Sequence, residues 1–106
     1  MILCQFIFKP GTYDEEFHTL DKQIDTFARQ LPGFRALELW HSEDMTVKNA
    51  VYTFESMDDV KRLAQYPQHL VAKQRNARWY DSYRVVISEV ISSYGDDHLT
   101  SIIRPS

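Results

Sequence analysis

The first predicted strand is apolar on both of its faces, and this feature restricts the folds that the chain can adopt. Residues 2–8 are rich in β-branched and aromatic side chains and end at the turn signal Lys9-Pro10-Gly11. One face would carry Ile2, Cys4, Phe6 and Phe8, and the other would carry Leu3 and Ile7. A strand that is apolar on both sides has to be covered on both sides.

Helical periodicity follows this strand. The apolar residues at helical spacing are Tyr13, Phe17, Leu20, Ile24, Phe27 and Leu31. Thr12 with Glu15 predicts a capping box at the start of this helix, and Pro32-Gly33 predicts its end. The opposite, polar face is expected to carry Asp21, Lys22, Asp25 and Arg29.

The rest of the chain alternates strands and helices. The predicted elements are a hairpin of strands at 34–41 and 46–54, helical segments from Ser56 to about Tyr66 and from Pro67 to about Tyr80, and a strand at 83–92. Pro67 lies inside the helical pattern and lacks an N–H group, so we expect the second helix to kink or restart there.

Two strand–helix–strand units in succession predict an α+β fold. Right-handed crossovers would give a ferredoxin-like βαββαβ sandwich, with a four-stranded antiparallel sheet and two helices on one face. The second face of the sheet would then be uncovered although it is apolar. We therefore expect a homodimer in which two sheet faces pack together as a dimeric α/β barrel, leaving a pocket between helices and sheet in each subunit.

Composition excludes several classes of function. The chain has 106 residues, a net charge of -3 and a single cysteine, Cys4. It has no basic block, which argues against a nucleic-acid partner, and no apolar stretch of about 20 residues, which argues against a membrane span. One cysteine and the lack of a signal-peptide pattern favour a cytoplasmic location.

Cofactor and metal sites are not expected either. The chain contains 3 glycines and no glycine-rich phosphate loop, so a nucleotide cofactor is disfavoured. The 4 histidines are far apart and show no metal-ligand spacing. Cys4 has no activating neighbour in sequence and is interpreted as a structural thiol.

His69 is the best catalytic candidate. It follows the break at Pro67, where a pocket can open beneath the helix, and a neutral histidine there can accept a proton from a phenol. The alternative is an ordinary surface or hydrogen-bonded histidine. The candidate substrate-binding residues are Phe6, Trp40, Tyr52, Asn76, Trp79 and Tyr83; aromatic side chains line apolar pockets, but they also serve as core or interface residues.

Several motifs resemble one protein family. They are Leu31-Pro32-Gly33-Phe34, residues 52–56 (YTFES), residues 66–69 (YPQH), and residues 81–90 (DSYRVVISEV) followed by Tyr94-Gly95. Together they resemble the antibiotic-biosynthesis-monooxygenase (ABM) domain family of the dimeric α/β-barrel superfamily. The resemblance covers residues 1–95, which we interpret as one domain, and residues 96–106 are expected to be a tail or a dimer arm.

The resemblance implies several activities. Some ABM relatives are cofactor-independent monooxygenases in which a phenolic substrate forms an anion, reduces oxygen itself and becomes a quinone. A haem-degrading branch uses an asparagine, a tryptophan and a histidine ligand, whereas this chain has Cys4-Gln5, Leu63 and Lys73 at those places. The stress-responsive dimeric barrels share the Pro-x-His motif and include polyketide cyclases with a histidine base, which supports His69.

Two functional hypotheses follow. The first is a cofactor-independent monooxygenase of a phenol or hydroquinone, with His69 as base. The second is a non-catalytic ligand-binding or stress-related dimer, which would bind a small aromatic molecule without converting it.

Overall fold

The computed structural model describes residues 1–96 and consists of one sheet with three helices packed against one of its faces. The elements are β1 (Ile2–Pro10), α1 (Glu15–Gln30), β2 (Phe34–His41), β3 (Lys48–Phe54), α2 (Met57–Gln65), α3 (Pro67–Trp79) and β4 (Tyr80–Glu89). The sheet order is β2-β3-β1-β4, and all neighbouring strands are antiparallel. The predicted ferredoxin-like fold is confirmed. Residues 97–106, most of the predicted tail or arm, lie outside the described part.

The strand register separates the two faces of the sheet. Ile2 lies opposite Phe54 and Cys4 lies opposite Tyr52, and these side chains point towards the helices. We call this side the helix face. The intervening residues, such as Gln5, point to the other side, which we call the open face; it carries the hydrogen bond from Asn49 Nδ2 to Gln5 Oε1 (2.9 Å).

A mainly aliphatic core, which also contains Phe54, fills one end of the helix face. We call this region the aliphatic end; its buried residues are Ile2, Ala28, Leu31, Phe54, Val60 and Leu63. Asp59 is also buried there, because its carboxylate accepts hydrogen bonds from the Gly33 amide (3.1 Å) and the Ser56 hydroxyl (3.3 Å). A Cβ atom on Gly33 would lie 2.0 Å from Asp59 Oδ2, so this turn needs glycine.

The start of α1 differs from the prediction. Thr12 is exposed and outside the helix, and the N-cap is Asp14, whose side chain accepts a hydrogen bond from the Phe17 amide at 2.8 Å. The same carboxylate oxygen accepts the indole N–H of Trp79 at 3.1 Å. Asp14 thus joins the start of α1 to the end of α3, which a local capping pattern does not reveal.

The predicted helix break is confirmed. α2 ends at Gln65 and α3 begins at Pro67, where the missing proline N–H costs no helical hydrogen bond. β4 starts at Tyr80 rather than at the predicted residue 83, because β1 extends far enough for Pro10 to pair with Tyr80 beyond a register shift.

We expected the exposed apolar side chains to lie on the open face, but several of them lie on the helix face. Trp40 is 61% exposed and does lie on the open face. Leu39 (73% exposed), Val85 (51%) and Ile87 (47%) instead lie on the helix face, on the edge strands β2 and β4. The helices therefore cover the middle of the sheet and leave its edges accessible.

Candidate functional site

A cluster of aromatic rings occupies the end of the helix face opposite the aliphatic end. We call it the aromatic end; its members are Phe6, Phe8, Tyr13, Phe17, Tyr80 and Tyr83. Tyr80 lies at its centre, with ring centroids 5.0 Å from Phe6 and 5.1 Å from Phe8 in edge-on geometry. Such contacts suit aromatic rings and make a surface on which a further flat ring can pack.

The tyrosine hydroxyls of this region reach solvent. Tyr52 and Tyr80 are both half-buried, and no residue within 1–96 forms a hydrogen bond with either hydroxyl. Neither hydroxyl oxygen is enclosed by protein atoms, so each is accessible to water or to a ligand. An apolar wall with a few accessible polar atoms is the usual composition of a small-molecule site.

Asp21 lies beside these tyrosines. Burial raises the pKa of Tyr13, Tyr52 and Tyr80, and the negative charge of Asp21 raises the pKa of each further.

The Asp21 carboxyl group is itself perturbed. The Asp21 side chain is exposed, but its pKa is raised, first because neighbouring groups displace some water from the carboxyl and then because Asp25 repels the second negative charge; His18 opposes this shift. Asp25 is engaged elsewhere, since its carboxylate accepts the Arg29 guanidinium at 2.8 Å. Asp21 is thus the carboxylate of this region that is open to a ligand.

His69 is half-buried in the first turn of α3. Its Nδ1 atom is enclosed and has no hydrogen-bond partner within residues 1–96. Burial lowers the pKa of His69, and the nearby Lys73 lowers it further, so the imidazole is neutral at pH 7 and can accept a proton. Among the described residues, no ring contact or hydrogen bond joins His69 to the aromatic end.

The remaining candidate residues are dispersed. Phe6 and Tyr83 meet in the aromatic end, with ring centroids 5.7 Å apart. Trp79 is 1% exposed and is held by Asp14, which gives it a clear structural role. Trp40 lies on the open face, where its indole donates to Glu38 at 2.9 Å.

Two other candidates border the aromatic end. Tyr52 stacks on Phe54 with centroids 6.0 Å apart, between the aliphatic and aromatic ends. Asn76 is half-buried, and its backbone carbonyl accepts the Tyr80 amide at the end of α3.

The prediction that Asp21 lies on the polar face of α1 is confirmed, because its side chain is exposed. The sequence analysis did not identify its electrostatic interaction with the tyrosines. One signal was available: Tyr13 and Phe17 are one turn apart, and Asp21 continues the same row by one further turn. Phe17 packs on Tyr80, so Asp21 lies one helical turn beyond that ring contact, where it remains exposed.

A depression in the surface lies on the side of α1 away from the aromatic end. It has a volume of about 260 Å³ and is lined by Lys22, Gln23, Thr26, Phe27, Gln30 and Tyr66. The rings of Phe27 and Tyr66 stack face to face at 4.0 Å, so its apolar surface is already paired. Within residues 1–96 no group of three or more histidine, cysteine or carboxylate side chains is placed to hold a metal ion, and no helix could span a membrane.

Comparisons with known proteins bear on the fold. No family model and no curated protein match the chain. SnoaB, a cofactor-independent oxygenase from Streptomyces nogalater, has a similar structure with a TM-score of 0.68 and 14% identity, covering 90% of this chain and 97% of that chain. Rv0793 from Mycobacterium tuberculosis gives a TM-score of 0.65 and 14% identity, covering 89% and 98%.

A third solved structure is a Nitrosomonas europaea protein provisionally described as an antibiotic biosynthesis monooxygenase. Its TM-score is 0.65 and its identity 16%, covering 86% of this chain and 99% of that chain. At such identities the likeness establishes the fold. The chain therefore has the fold of the ABM proteins, as the resemblance of its motifs predicts.

Proposed function

We propose that the protein is a cofactor-independent monooxygenase of a flat phenol or hydroquinone bound at the aromatic end. The observation that carries the proposal is the accessible aromatic surface around Tyr80, with polar hydroxyls at its margin. The fold supports it, since one protein of this fold is described as a cofactor-independent oxygenase.

The chemistry needs no external reductant. A base removes the phenolic proton, and the phenolate transfers one electron to O₂. The resulting phenoxyl radical and superoxide combine at a ring carbon, and the hydroperoxide takes a proton back. Loss of water then leaves a quinone, with one oxygen atom of O₂ in the product and the other in water.

His69 is the proposed base. Because it lies at the start of α3, about 15 Å along the helix from Trp79, the substrate would be a polycyclic phenol that extends from the aromatic end to His69. Burial and Lys73 keep its imidazole neutral at pH 7, and since Nδ1 is enclosed, Nε2 is the ring nitrogen that would accept the proton. A neutral histidine with a pKa below the working pH suits reversible proton transfer, since it can take the phenolic proton and return it to the peroxide. The aromatic rings would exclude water from the radical pair.

Oxygen consumption tests this proposal. Protein purified without additives should consume O₂ with a polycyclic phenol and yield the quinone and water in equal amounts. His69→Ala should lower the rate by about 100-fold, the usual contribution of a general base, while circular dichroism stays unchanged. The matched control is His41→Ala, an exposed histidine on β2, which should keep full activity.

Two outcomes would contradict the proposal. Full activity in His69→Ala would show that the base is another group. Binding of the phenol by the native protein without oxygen uptake would favour the second hypothesis, a non-catalytic ligand-binding protein.

We also propose that the protein is a homodimer that pairs its open faces. The half-buried apolar residues of that face, including Leu3, Ile7 and Val51, and the exposed Trp40 offer a surface that a second copy can cover. Sedimentation should give twice the subunit mass of 12.5 kDa. Replacing Val51 by Lys should produce a monomer, and a monomeric native protein at micromolar concentration would refute the proposal.

A further inference from the structure

The open face carries charges of opposite sign at its two edges. On the edge strand β2, the exposed indole of Trp40 donates to Glu38 Oε2 at 2.9 Å. On the other edge strand, β4, Arg84 lies on the open face, since it is paired with Ile7 of β1. The Arg84 side chain is exposed, and within residues 1–96 neither Glu38 nor Arg84 forms an ion pair. Both charges are therefore available to a partner.

The two charges are held apart within one copy. β3 and β1 lie between β2 and β4 in the sheet. Neighbouring strands are about 4.8 Å apart, so the edge strands are separated by about 14 Å. A second copy of the chain, packed on the open face, can bring the carboxylate of one molecule to the guanidinium of the other.

A twofold axis between two packed open faces has two simple orientations. If the axis is parallel to the strands, β2 of one copy lies over β4 of the other, because the rotation reverses the order of the strands and keeps each residue at its height. If the axis runs across the strands, β2 lies over β2 and β4 lies over β4. The first orientation brings opposite charges together at both edges and the second brings like charges together, so charge complementarity selects the first.

We propose that Arg84 of each copy binds the Trp40–Glu38 pair of the other copy, in a dimer whose twofold axis is parallel to the strands. Arg84 and Trp40 are at the same height, since the pairing of β1 with β3 aligns both with Ile7 and Asn49. The guanidinium then packs on the indole ring and donates to Glu38 Oε1, which accepts no hydrogen bond within residues 1–96. This inference rests on the proposed homodimer and adds the direction of its axis and the residues that pair.

The chemistry of the three side chains suits an interface. Tryptophan and arginine are the residue types that most often dominate the binding energy between proteins. A planar guanidinium can pack on an aromatic ring and bind a carboxylate at the same time, which a lysine does less well. Symmetry repeats the contact at the other edge, so one substitution in the sequence alters two contacts in the dimer.

Charge reversal tests the inference. Glu38→Arg and Arg84→Glu should each weaken the dimer by about 100-fold in sedimentation, because each brings like charges together at both edges. An equimolar mixture of the two variants should dimerise again, because a heterodimer has opposite charges at both edges. Circular dichroism checks the folding of each variant. Arg84→Gln, which removes the charge without reversing it, should weaken the dimer by about tenfold and serves if a reversal unfolds the protein.

Glu43→Arg and Arg62→Glu are the matched controls. They make the same changes of charge at exposed positions in the β2–β3 turn and on α2, and they should leave the dimer intact. Unchanged dimers of Glu38→Arg, equal dissociation of the controls, or a mixture of folded variants that stays monomeric would overturn the inference while the homodimer stands. A monomeric native protein would overturn both, whereas restored pairing without oxygen uptake would uphold the inference and refute only the monooxygenase proposal.

Discussion

The two ends of the helix face differ in the burial of their side chains and in the hydrogen bonding of their polar groups. At the aliphatic end, core side chains such as Phe54 and Leu63 are almost entirely buried, and the buried carboxylate of Asp59 has two hydrogen-bond donors. At the aromatic end, Tyr80 is half-buried with a free hydroxyl, and Tyr83 is 45% exposed.

This difference indicates which end stabilises the fold and which end can bind a ligand. Closed packing around a hydrogen-bonded carboxylate contributes most to stability, and it leaves little surface for a ligand. Accessible rings and unpartnered hydroxyls contribute less to stability, but they retain surface and hydrogen-bonding capacity for a ligand. The two ends should therefore respond to mutation in opposite ways.

The largest expected effect is the loss of Phe54. Phe54→Ala removes a ring with no exposed surface and should lower the free energy of unfolding by about 3–5 kcal/mol in a denaturant titration. Tyr83→Ala, at the aromatic end, should cost about 1 kcal/mol because the ring is already partly in water. Equal losses would contradict the distinction between the two ends.

The Gly33 turn should show the next largest effect. Gly33→Ala forces a Cβ against the Asp59 carboxylate that caps this turn, and stability should fall by about 2–3 kcal/mol. Gly95→Ala is its control, since a Cβ there would meet nothing within 4 Å. Thermal unfolding of both variants compares them directly, and an unaffected Gly33→Ala would show that the turn can relax.

These features differ in how well the sequence predicts them. The helix break at Pro67 and the end of α1 at Leu31-Pro32-Gly33 depend on local sequence, because proline and glycine act on their own backbone. The structure agrees with both predictions. The N-cap at Asp14 was not predictable from the local pattern, because the indole of Trp79, distant in sequence, helps to fix that carboxylate.

The site is less predictable than the fold for the same physical reason. Hydrophobic periodicity assigns Asp21 to the exposed side of α1, as the structure does, but which rings lie near that side depends on how α1 is rotated over the sheet. That rotation is set by contacts between distant parts of the chain, such as Phe17 with Tyr80. Conversely, Trp79 resembles a pocket residue in the sequence but is enclosed in the structure.

Two carboxylates of α1 extend the comparison to pH dependence. The pKa of Asp14 is lowered below 3.8, mainly because its carboxylate accepts a hydrogen bond from the Phe17 amide. The hydrogen bond from the Trp79 indole and the charge of Arg78 lower it further. Its stabilising contribution is therefore complete above that pH and is lost as the pH falls through the lowered pKa. Asp14→Asn should flatten the acid side of the stability profile.

Asp21 should behave in the opposite way. Its side chain is exposed, but partial loss of water and the charge of Asp25 raise its pKa above 3.8, so the native state loses stability as the pH rises from 3.8 through the raised pKa. Asp21→Asn should therefore unfold at a higher temperature than the native protein at pH 7, and the difference should vanish below pH 3.8. Lower stability of Asp21→Asn at pH 7 would mean that the carboxylate is structural and not poised for a ligand.

The smallest expected effect on stability is that of the Tyr80 hydroxyl. Since no residue in the described part of the chain bonds it, Tyr80→Phe should change the free energy of unfolding by about 0.5 kcal/mol or less. The affinity for 2-naphthol should nevertheless fall by about threefold, the effect of one neutral hydrogen bond. A large loss of stability with unchanged affinity would assign Tyr80 to the core.

The central claim is that the aromatic end is where a neutral aromatic ligand binds. A titration with 2-naphthol followed by NMR of the backbone amides tests it most directly. The account predicts that the largest shifts occur at Phe6 and Tyr80. Shifts centred instead on Phe27 and Tyr66, at the depression behind α1, would contradict it.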